Sequence, residues 1–235
     1  MKRTILALPR YALSIGLLLG AVSIALPVTA AATPDSSGVT LPAVTLRPES
    51  KLWLEGKSTL HDYMSEATKL EVSLSGAADR AMPADLSALG ALVCSGGVSA
   101  GELVIPVAGL KSEKDGLDKN LRKSLLAEAH PLIRYRLRGY HVAPGESDSF
   151  KVRASGVLEV AGKQKEIESD LIARPTALGV WLTGTQPLRM TDFGIKPPKM
   201  MLGTIRTDDE VVIHYRLLLA LKPTTSGGSV ERSQP

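Results

Sequence analysis

One short stretch of the sequence has the pattern of a catalytic nucleophile. Residues 97–101 read GVSAG, and Gly-x-Ser-x-Gly is the pattern of the nucleophile elbow in serine hydrolases. In those enzymes the serine lies on a sharp turn between a strand and a helix, and an acid and a histidine complete the triad. Ser99 would then be the nucleophile, and His130, His141 or His214 would have to supply the base.

The sequence around Ser99 does not follow that strand-to-helix order. The residues after it, ELVIPVAGL at 102–110, are typical of a strand, and further strands follow along the chain. His214 alternates with apolar residues, and His130 precedes a proline. We therefore interpret the glycines of the motif as turn residues that lead into a strand. A serine hydrolase that uses Ser99 remains the alternative hypothesis.

The other residues that could do chemistry form no recognisable site. The four histidines have no metal-ligand spacing, and a single cysteine makes no zinc site. His61 and Asp62 could be a base and its orienter, but neighbours on a strand point in opposite directions, so we interpret them as a turn or strand-end pair. Cys94 has no partner for an internal disulfide, and we interpret it as a small side chain rather than a reactive thiol. We expect no catalytic residue, metal or cofactor.

The two ends of the chain are predicted to lie outside the folded domain. Residues 1–32 combine a basic start, a long apolar run and small residues at the end, which predicts a signal peptide cleaved near 31–33. Residues 33–49 are rich in Pro, Ser and Thr and predict a linker, and residues 222–235 predict a disordered tail. The domain should therefore span residues 50–221, and the protein should be periplasmic or secreted.

The basic charge of the chain comes mostly from its start. The chain has 28 Lys and Arg against 24 Asp and Glu, a net charge of +4. Residues 1–32 hold three of the basic residues and no acidic one, so 25 basic and 24 acidic residues remain and the net charge falls to +1. This balance does not predict a nucleic-acid partner.

The domain is dominated by alternation with a period of two. In IRYRLRG at 133–139, apolar residues alternate with three arginines, which is typical of a strand with one apolar face. Residues 70–75 and 166–171 alternate in the same way, and AGKQ at 161–164 joins two strands so tightly that they must be antiparallel. Further strands are predicted at 51–58, 102–108, 151–160, 179–189 and 210–220.

One segment has helical spacing instead. Residues 115–131 place three leucines four residues apart among charged residues, which predicts a short amphipathic helix that stops before Pro131. About eight strands and one helix predict an all-β fold. An antiparallel β-barrel is the economical arrangement, because closure removes exposed strand edges.

Three of the strands have unbroken apolar faces, which we expect to converge inside the barrel. A barrel of eight strands is either filled by its own side chains or holds one small ligand, and the packing argument leaves both open. If a ligand is held, the candidate ligand-binding residues are Leu103, Ile105, Val107, Ile133, Tyr135, Leu137, Val211, Ile213, Tyr215, Leu217 and Leu219.

Six segments in order resemble one known family. They are KLWLEGKSTLHDYMSEATKLEVSL, LVIPVAGLKS, LDKNLRKSLLAEAHPLIRYRL, GVLEVAGKQKEIESDL, LRMTDFGIKPP and DDEVVIHYRLLL, within about residues 50–220. Together they resemble the YceI-like family of exported lipid-binding proteins, also called polyisoprenoid-binding proteins. The resemblance implies a lipocalin-like barrel with an isoprenoid chain in an apolar tunnel, and it implies no catalysis.

The resemblance therefore favours a ligand over a filled interior. It implies that an isoprenoid lipid or a quinone is bound in the periplasm or cell envelope, with transient membrane contact. The oligomeric state is left open by the sequence, a dimer included. Besides the hydrolase, a second alternative remains, namely an envelope stress or scaffold protein without a significant ligand.

Overall fold

The computed structural model of the chain describes residues 39–41, 44–78, 81, 83–200 and 205–222. The predicted signal peptide at 1–32 lies outside the described residues, and so does all of the predicted tail except Lys222. Both therefore stay predictions.

The described residues form mainly β-strands. The strands are β1 (Val39–Thr40), β2 (Val44–Leu46), β3 (Lys51–Ser58), β4 (Tyr63–Ala67), β5 (Glu71–Gly76), β6 (Val98–Pro106), β7 (Leu110–Lys111), β8 (Leu132–Pro144), β9 (Phe150–Val160), β10 (Lys163–Thr176), β11 (Gly179–Arg189), β12 (Lys199–Met200) and β13 (Ile205–Leu221). Two α-helices accompany them, α1 (Leu86–Cys94) and α2 (Asp115–Ser124), with 3₁₀ turns at Val107–Gly109 and Met190–Phe193. Nine of the described strands have five residues or more, close to the expected eight.

All strand pairs are antiparallel, and they form one curled sheet. Hydrogen-bonded neighbours follow the order β1-β5-β6-β8-β9-β10-β11-β13-β3-β4-β7, and β2 and β12 also pair with β13. The β9–β10 hairpin has the tight loop that the sequence predicts, since Val160 pairs with Lys163 and only two residues lie between them. These residues, Ala161 and Gly162, have φ angles of 49° and 74°, the left-handed conformation that two-residue hairpins favour.

The curled sheet is linked across its opening at both ends. Ala67 of β4 pairs with Leu110 of β7, and β7 continues β6 after a single 3₁₀ turn. At the other end, the N-terminal segment pairs with β5 through β1 and with β13 through β2. The predicted all-β, lipocalin-like barrel fold is confirmed.

Part of the predicted linker at 33–49 belongs to this sheet, so the linker interpretation is wrong for that part. β1 and β2 lie within it, and the side chains of Leu41 and Val44 are 4% and 3% exposed. The Leu41 N–H also donates to the carbonyl of Leu74. These two short stretches can form strands because they hydrogen-bond to β5 and β13, which are longer strands of the sheet.

The helices differ from the sequence prediction in two ways. Helix α2 begins at Asp115 as expected, but it ends at Ser124 rather than near Pro131, because Leu126 takes a positive φ of 53°. Helix α1 was not predicted at all. It begins after Asp85, whose carboxylate accepts a hydrogen bond from the N–H of Ala88 at 2.8 Å, a typical N-cap.

The buried apolar residues form two clusters towards opposite ends of the long strands. We name the first the α1-side cluster, and it contains Leu41, Val44, Leu74, Leu89, Leu92, Val93, Val98, Val152, Ala173, Val180 and Leu219. The second is the α2-side cluster, made of Leu52, Ala67, Ile105, Val107, Leu110, Leu125, Leu158, Val160, Ala161, Phe193 and Ile195.

Candidate functional site

An apolar cavity of about 330 Å³ lies on the inner face of the curled sheet. Its walls come from β3 to β6, β8 to β11 and β13, and residues of both helices also reach it. Side chains alternate between the two faces of each strand, so every long strand contributes inward apolar residues at every second position. The cavity therefore arises directly from the period of two in the sequence.

Ten of the eleven candidate ligand-binding residues line this cavity. They are Leu103, Ile105, Ile133, Tyr135, Leu137, Val211, Ile213, Tyr215, Leu217 and Leu219. Their position is as expected, and their part in binding stays a prediction.

Val107 does not line the cavity, so its placement on the tunnel wall is wrong. β6 ends at Pro106, which lacks the N–H needed to continue the ladder, and Val107 begins a 3₁₀ turn. The period of two is lost at this point. The side chain of Val107 is 1% exposed and packs in the α2-side cluster.

The outer face of the same strands carries paired charges. Arg136 donates to Glu102 at 3.2 Å and to Glu159 at 3.1 Å, and Arg134 donates to Glu102 at 3.3 Å. Arg134 and Arg136 of IRYRLRG are therefore matched by acids on the two neighbouring strands. They point away from the cavity, as the alternation predicts.

Helix α2 and the late 3₁₀ turn also line the cavity, which the sequence did not indicate. Leu121 and Leu125 reach it from α2 and the turn after it, and Phe193 and Ile195 reach it from the segment after β11. The spacing of Leu117, Leu121 and Leu125 predicted an apolar helix face, but not what that face covers.

Three tyrosines of the largely apolar wall each have their ring over a glycine. A Cβ at Gly156 would come 2.6 Å from the Tyr135 ring, and one at Gly184 would come 2.5 Å from the Tyr215 hydroxyl. Tyr63 lies over Gly56 in the same way. The missing side chains give the rings room to lie along the inner wall.

The hydroxyls of these tyrosines have different surroundings. The Tyr215 hydroxyl is 2.8 Å from Ser169 Oγ, whereas the buried Tyr135 hydroxyl has no hydrogen-bond partner among the described residues. Burial, together with the nearby Tyr215, raises the pKa of Tyr135 to about 12. Burial also raises the pKa of Tyr215 and of Tyr63. All three hydroxyls therefore stay protonated at neutral pH.

A fourth tyrosine, Tyr140, lines the cavity near α1, and its hydroxyl both donates and accepts a hydrogen bond. Its hydroxyl donates to the Val93 carbonyl at 2.9 Å and accepts from the Val98 N–H at 3.1 Å. Tyr140 thus ties α1 to the start of β6.

The structure gives Ser99 a backbone role. Ser99 is the second residue of β6, exposed, and its Oγ donates to the carbonyls of Gly76 at 3.0 Å and Ser75 at 3.2 Å. A nucleophile elbow needs a turn that opens a helix, and Ser99 lies within a strand instead. The local geometry thus lacks the feature on which the hydrolase hypothesis rests.

The remaining polar candidates have structural surroundings too. His61 Nδ1 lies 3.0 Å from the backbone carbonyl of Asp62 in the exposed β3–β4 loop. Cys94 is half-buried at the end of α1, and burial raises the pKa of its thiol, which disfavours the reactive thiolate.

The described part of the chain has neither a cluster of metal ligands nor a helix suited to span a membrane. No three His, Cys, Asp or Glu residues come together there as they would to hold a metal ion. None of its helices has both the length and the apolar content that a membrane span requires.

Comparison with known proteins shows the family of this chain and proteins that share its fold. The family model described as a YceI-like domain matches residues 45–219, more than half of the chain. The fold is similar to that of BcnA from Burkholderia cenocepacia, with a TM-score of 0.54 and 16% identity over 73% of this chain and 96% of that one. It is also similar to a polyisoprenoid-binding domain from Saccharophagus degradans implicated in plant cell wall breakdown, with a TM-score of 0.54 and 14% identity over 76% of this chain and 98% of that one. A search of curated proteins finds no match.

Proposed function

The chain belongs to the YceI-like family, and from this premise we propose that it is a non-catalytic binding protein that holds an isoprenoid-type lipid or a quinone inside its barrel. The observation that carries the proposal is the cavity itself. The inward residues of nine long strands leave about 330 Å³ unfilled, within the size range of small-molecule pockets. Its lining is almost entirely apolar, so the ligand should be apolar along most of its length.

Two further observations support this ligand class. The domain from Saccharophagus degradans, which shares the fold, is described as polyisoprenoid-binding. In addition, only 4% of the residues of this chain are aromatic, so few bulky side chains are available to fill the interior. Long aliphatic side chains and open space suit a flexible branched chain.

The energetics predict that affinity rises with chain length. Each buried methylene contributes about 0.8 kcal/mol, so ten buried carbons contribute roughly 8 kcal/mol. Association costs about 4–15 kcal/mol, depending on how the lost freedom is counted. Short chains should therefore bind weakly, and chains of several prenyl units should bind tightly.

The test combines a ligand series with a charge placed in the wall. Isoprenoids of one to eight prenyl units would be titrated against the wild type and Leu217→Asp, because an unpaired charge in the cavity is costly. Thr183→Asp, on the exposed outer face next to cavity residue Leu182, is the matched control. We expect affinity to rise with length in the wild type and the control, and to be lost in Leu217→Asp.

Circular dichroism would show whether each variant is folded, and Ile213→Asp replaces Leu217→Asp if the latter unfolds. Affinity that does not depend on chain length would contradict the proposal. So would a folded wall variant that binds as well as the wild type. If no isoprenoid or quinone binds at all, the scaffold alternative gains support.

We also propose that the protein is exported to the periplasm and meets its ligand by transient contact with a membrane. Support comes from the signal-peptide pattern of residues 1–32 and from exposed leucines at loop positions, Leu60 at 66% and Leu126 at 54% exposure. Protein sequencing of the periplasmic fraction should give an N-terminus near residues 31–33. An intact Met1 in washed membranes would contradict cleavage.

A further inference from the structure

The Tyr135 hydroxyl is buried in a largely apolar wall and has no hydrogen-bond partner among the described residues. Tyr135 lies in the centre of its strand pairs, opposite Leu103 of β6 and Leu158 of β9, and both neighbours line the cavity with it. A buried hydroxyl without a hydrogen bond costs free energy, and phenylalanine at this position would avoid that cost. The chain nevertheless has tyrosine here, with Gly156 making room for its ring.

A second polar pair lies beside it. The Tyr135 ring lies over Gly156 of β9, whose partner on β10 is Ile167, two residues from Ser169. The Tyr215 hydroxyl is hydrogen-bonded to Ser169 Oγ. Ser169 is itself buried, at 8% exposure, and lines the cavity. Tyr135, Tyr215 and Ser169 thus form a small polar band, and only one of its hydroxyls has no partner.

We propose that this band selects a ligand whose apolar chain carries an uncharged carbonyl group, and that Tyr135 donates a hydrogen bond to that oxygen. This inference rests on the proposed binding function and adds the ligand's polar chemistry. Quinones, ketones, esters and amides share the required acceptor. A pure hydrocarbon would leave the Tyr135 hydroxyl unsatisfied.

The protonation state of the band supports an uncharged acceptor. Tyr135 keeps its proton at neutral pH and therefore acts as a donor. An ionised head group would have to lose its hydration beside neutral hydroxyls, which is far more costly than burying a carbonyl. A carbonyl oxygen needs only one donor to compensate for its lost water.

The test uses pairs of ligands that differ only in the acceptor. The first pair is a ketone with a chain of four prenyl units and the hydrocarbon of the same skeleton. A benzoquinone with the same chain distinguishes a ring carbonyl from a chain carbonyl. Affinities would be measured for the wild type, Tyr135→Phe, and Ser155→Ala, which removes a hydroxyl from the exposed face of β9.

We expect the wild type and Ser155→Ala to bind one or both carbonyl ligands about tenfold more tightly than the hydrocarbon. In Tyr135→Phe this preference should disappear while hydrocarbon affinity stays the same or improves. The ligand-free variant should be at least as stable as the wild type, because it has lost an unsatisfied group. A purely structural role for the hydroxyl would instead lower stability and all affinities together.

The outcomes separate this inference from the proposed function. If the hydrocarbon and the carbonyl ligands bind equally well to the wild type, or if Tyr135→Phe keeps the preference, the polar band does not select the ligand and the inference fails. The proposed function survives both results. If none of the ligands binds the wild type, the proposed function itself fails.

Discussion

The two helices lie against opposite parts of the barrel, and they are held there in different ways. Four of the nine residues of α1 are buried, and its Leu89 is completely inaccessible. In α2 only Asp118 is buried out of ten residues, and Leu121 is in contact with the cavity. Helix α1 is part of the core, whereas α2 is a polar helix fixed by one buried carboxylate.

The tyrosine hydroxyls near the two helices also differ, because one is fully hydrogen-bonded and the other is not. Tyr140, beside α1, has both its hydrogen-bonding functions satisfied by backbone atoms, while Tyr135 has no partner among the described residues. Tyr135 packs with the α2-side cluster. Both halves of the barrel line the cavity, but the α1 side has a buried helix and a satisfied hydroxyl, whereas the α2 side has an unsatisfied donor and a helix with one buried residue. We therefore expect changes near α1 to lower stability more, and changes near α2 to alter ligand binding more.

The largest expected effect comes from truncating one leucine in each helix. Leu89→Ala should lower the free energy of unfolding by about 2–5 kcal/mol, because it opens a cavity in a fully packed site. Leu121→Ala, at a half-buried position beside existing space, should cost only about 1 kcal/mol and should speed ligand release. Denaturant unfolding and ligand dissociation rates would measure the two effects.

Each of these variants is the control for the other, since the chemical change is identical. Equal losses of stability would show that α2 is as much part of the core as α1. A Leu121→Ala protein that releases its ligand at the wild-type rate would show that α2 does not cover the bound chain.

A smaller effect concerns the carboxylate that holds α2. Asp118 accepts hydrogen bonds from the N–H and the hydroxyl of Ser112, both at 2.7 Å, and lies 3.4 Å from Lys111 Nζ. The hydrogen bonds from Ser112 are the main cause of its lowered pKa, with a further contribution from Lys111. The stabilisation is therefore fully present above the ordinary aspartate pKa of 3.8 and is lost as the pH falls through the lower value in the folded protein.

Unfolding midpoints between about pH 2 and pH 6 would test this in the wild type and in Asp118→Asn. The variant should be less stable at neutral pH, by less than Leu89→Ala, and its stability should fall less steeply in acid. Asp62→Asn in the exposed β3–β4 loop controls for the change in net charge. If the unfolding midpoints of the wild type and Asp118→Asn change with pH in the same way, Asp118 does not hold α2 in place through its charge.

The same contrast explains what the sequence could and could not predict. Strands such as β11 at 179–189 were found to the residue, because a barrel wall with one apolar and one polar face has a clear period of two. Helix α1 was missed because LSALGALVC is apolar on nearly every side and shows no such period. Its one local signal was Asp85, a residue type that favours the N-cap.

The candidate site was partly predictable for a related reason. The inward residues of β6, β8 and β13 follow from alternation alone, except at Val107, where Pro106 ends the strand. The missing partner of Tyr135 could not be foreseen, because it depends on residues from strands far apart in the chain. The contribution of Leu121 and Leu125 to the cavity likewise depends on where α2 packs.

The smallest expected effect concerns Ser99, at the start of β6 near α1. Its hydroxyl donates to two carbonyls of β5, so Ser99→Ala should remove one neutral hydrogen bond at an exposed site and cost less than about 1 kcal/mol. Binding should not change, because the strand runs on unaltered to the cavity residues Leu103 and Ile105. If the protein hydrolyses a panel of short esters, and Ser99→Ala abolishes that activity, the hydrolase hypothesis is right and the binding hypothesis is wrong. A variant that matches the wild type in ester turnover and in isoprenoid binding would leave GVSAG as the start of strand β6, with no part in chemistry.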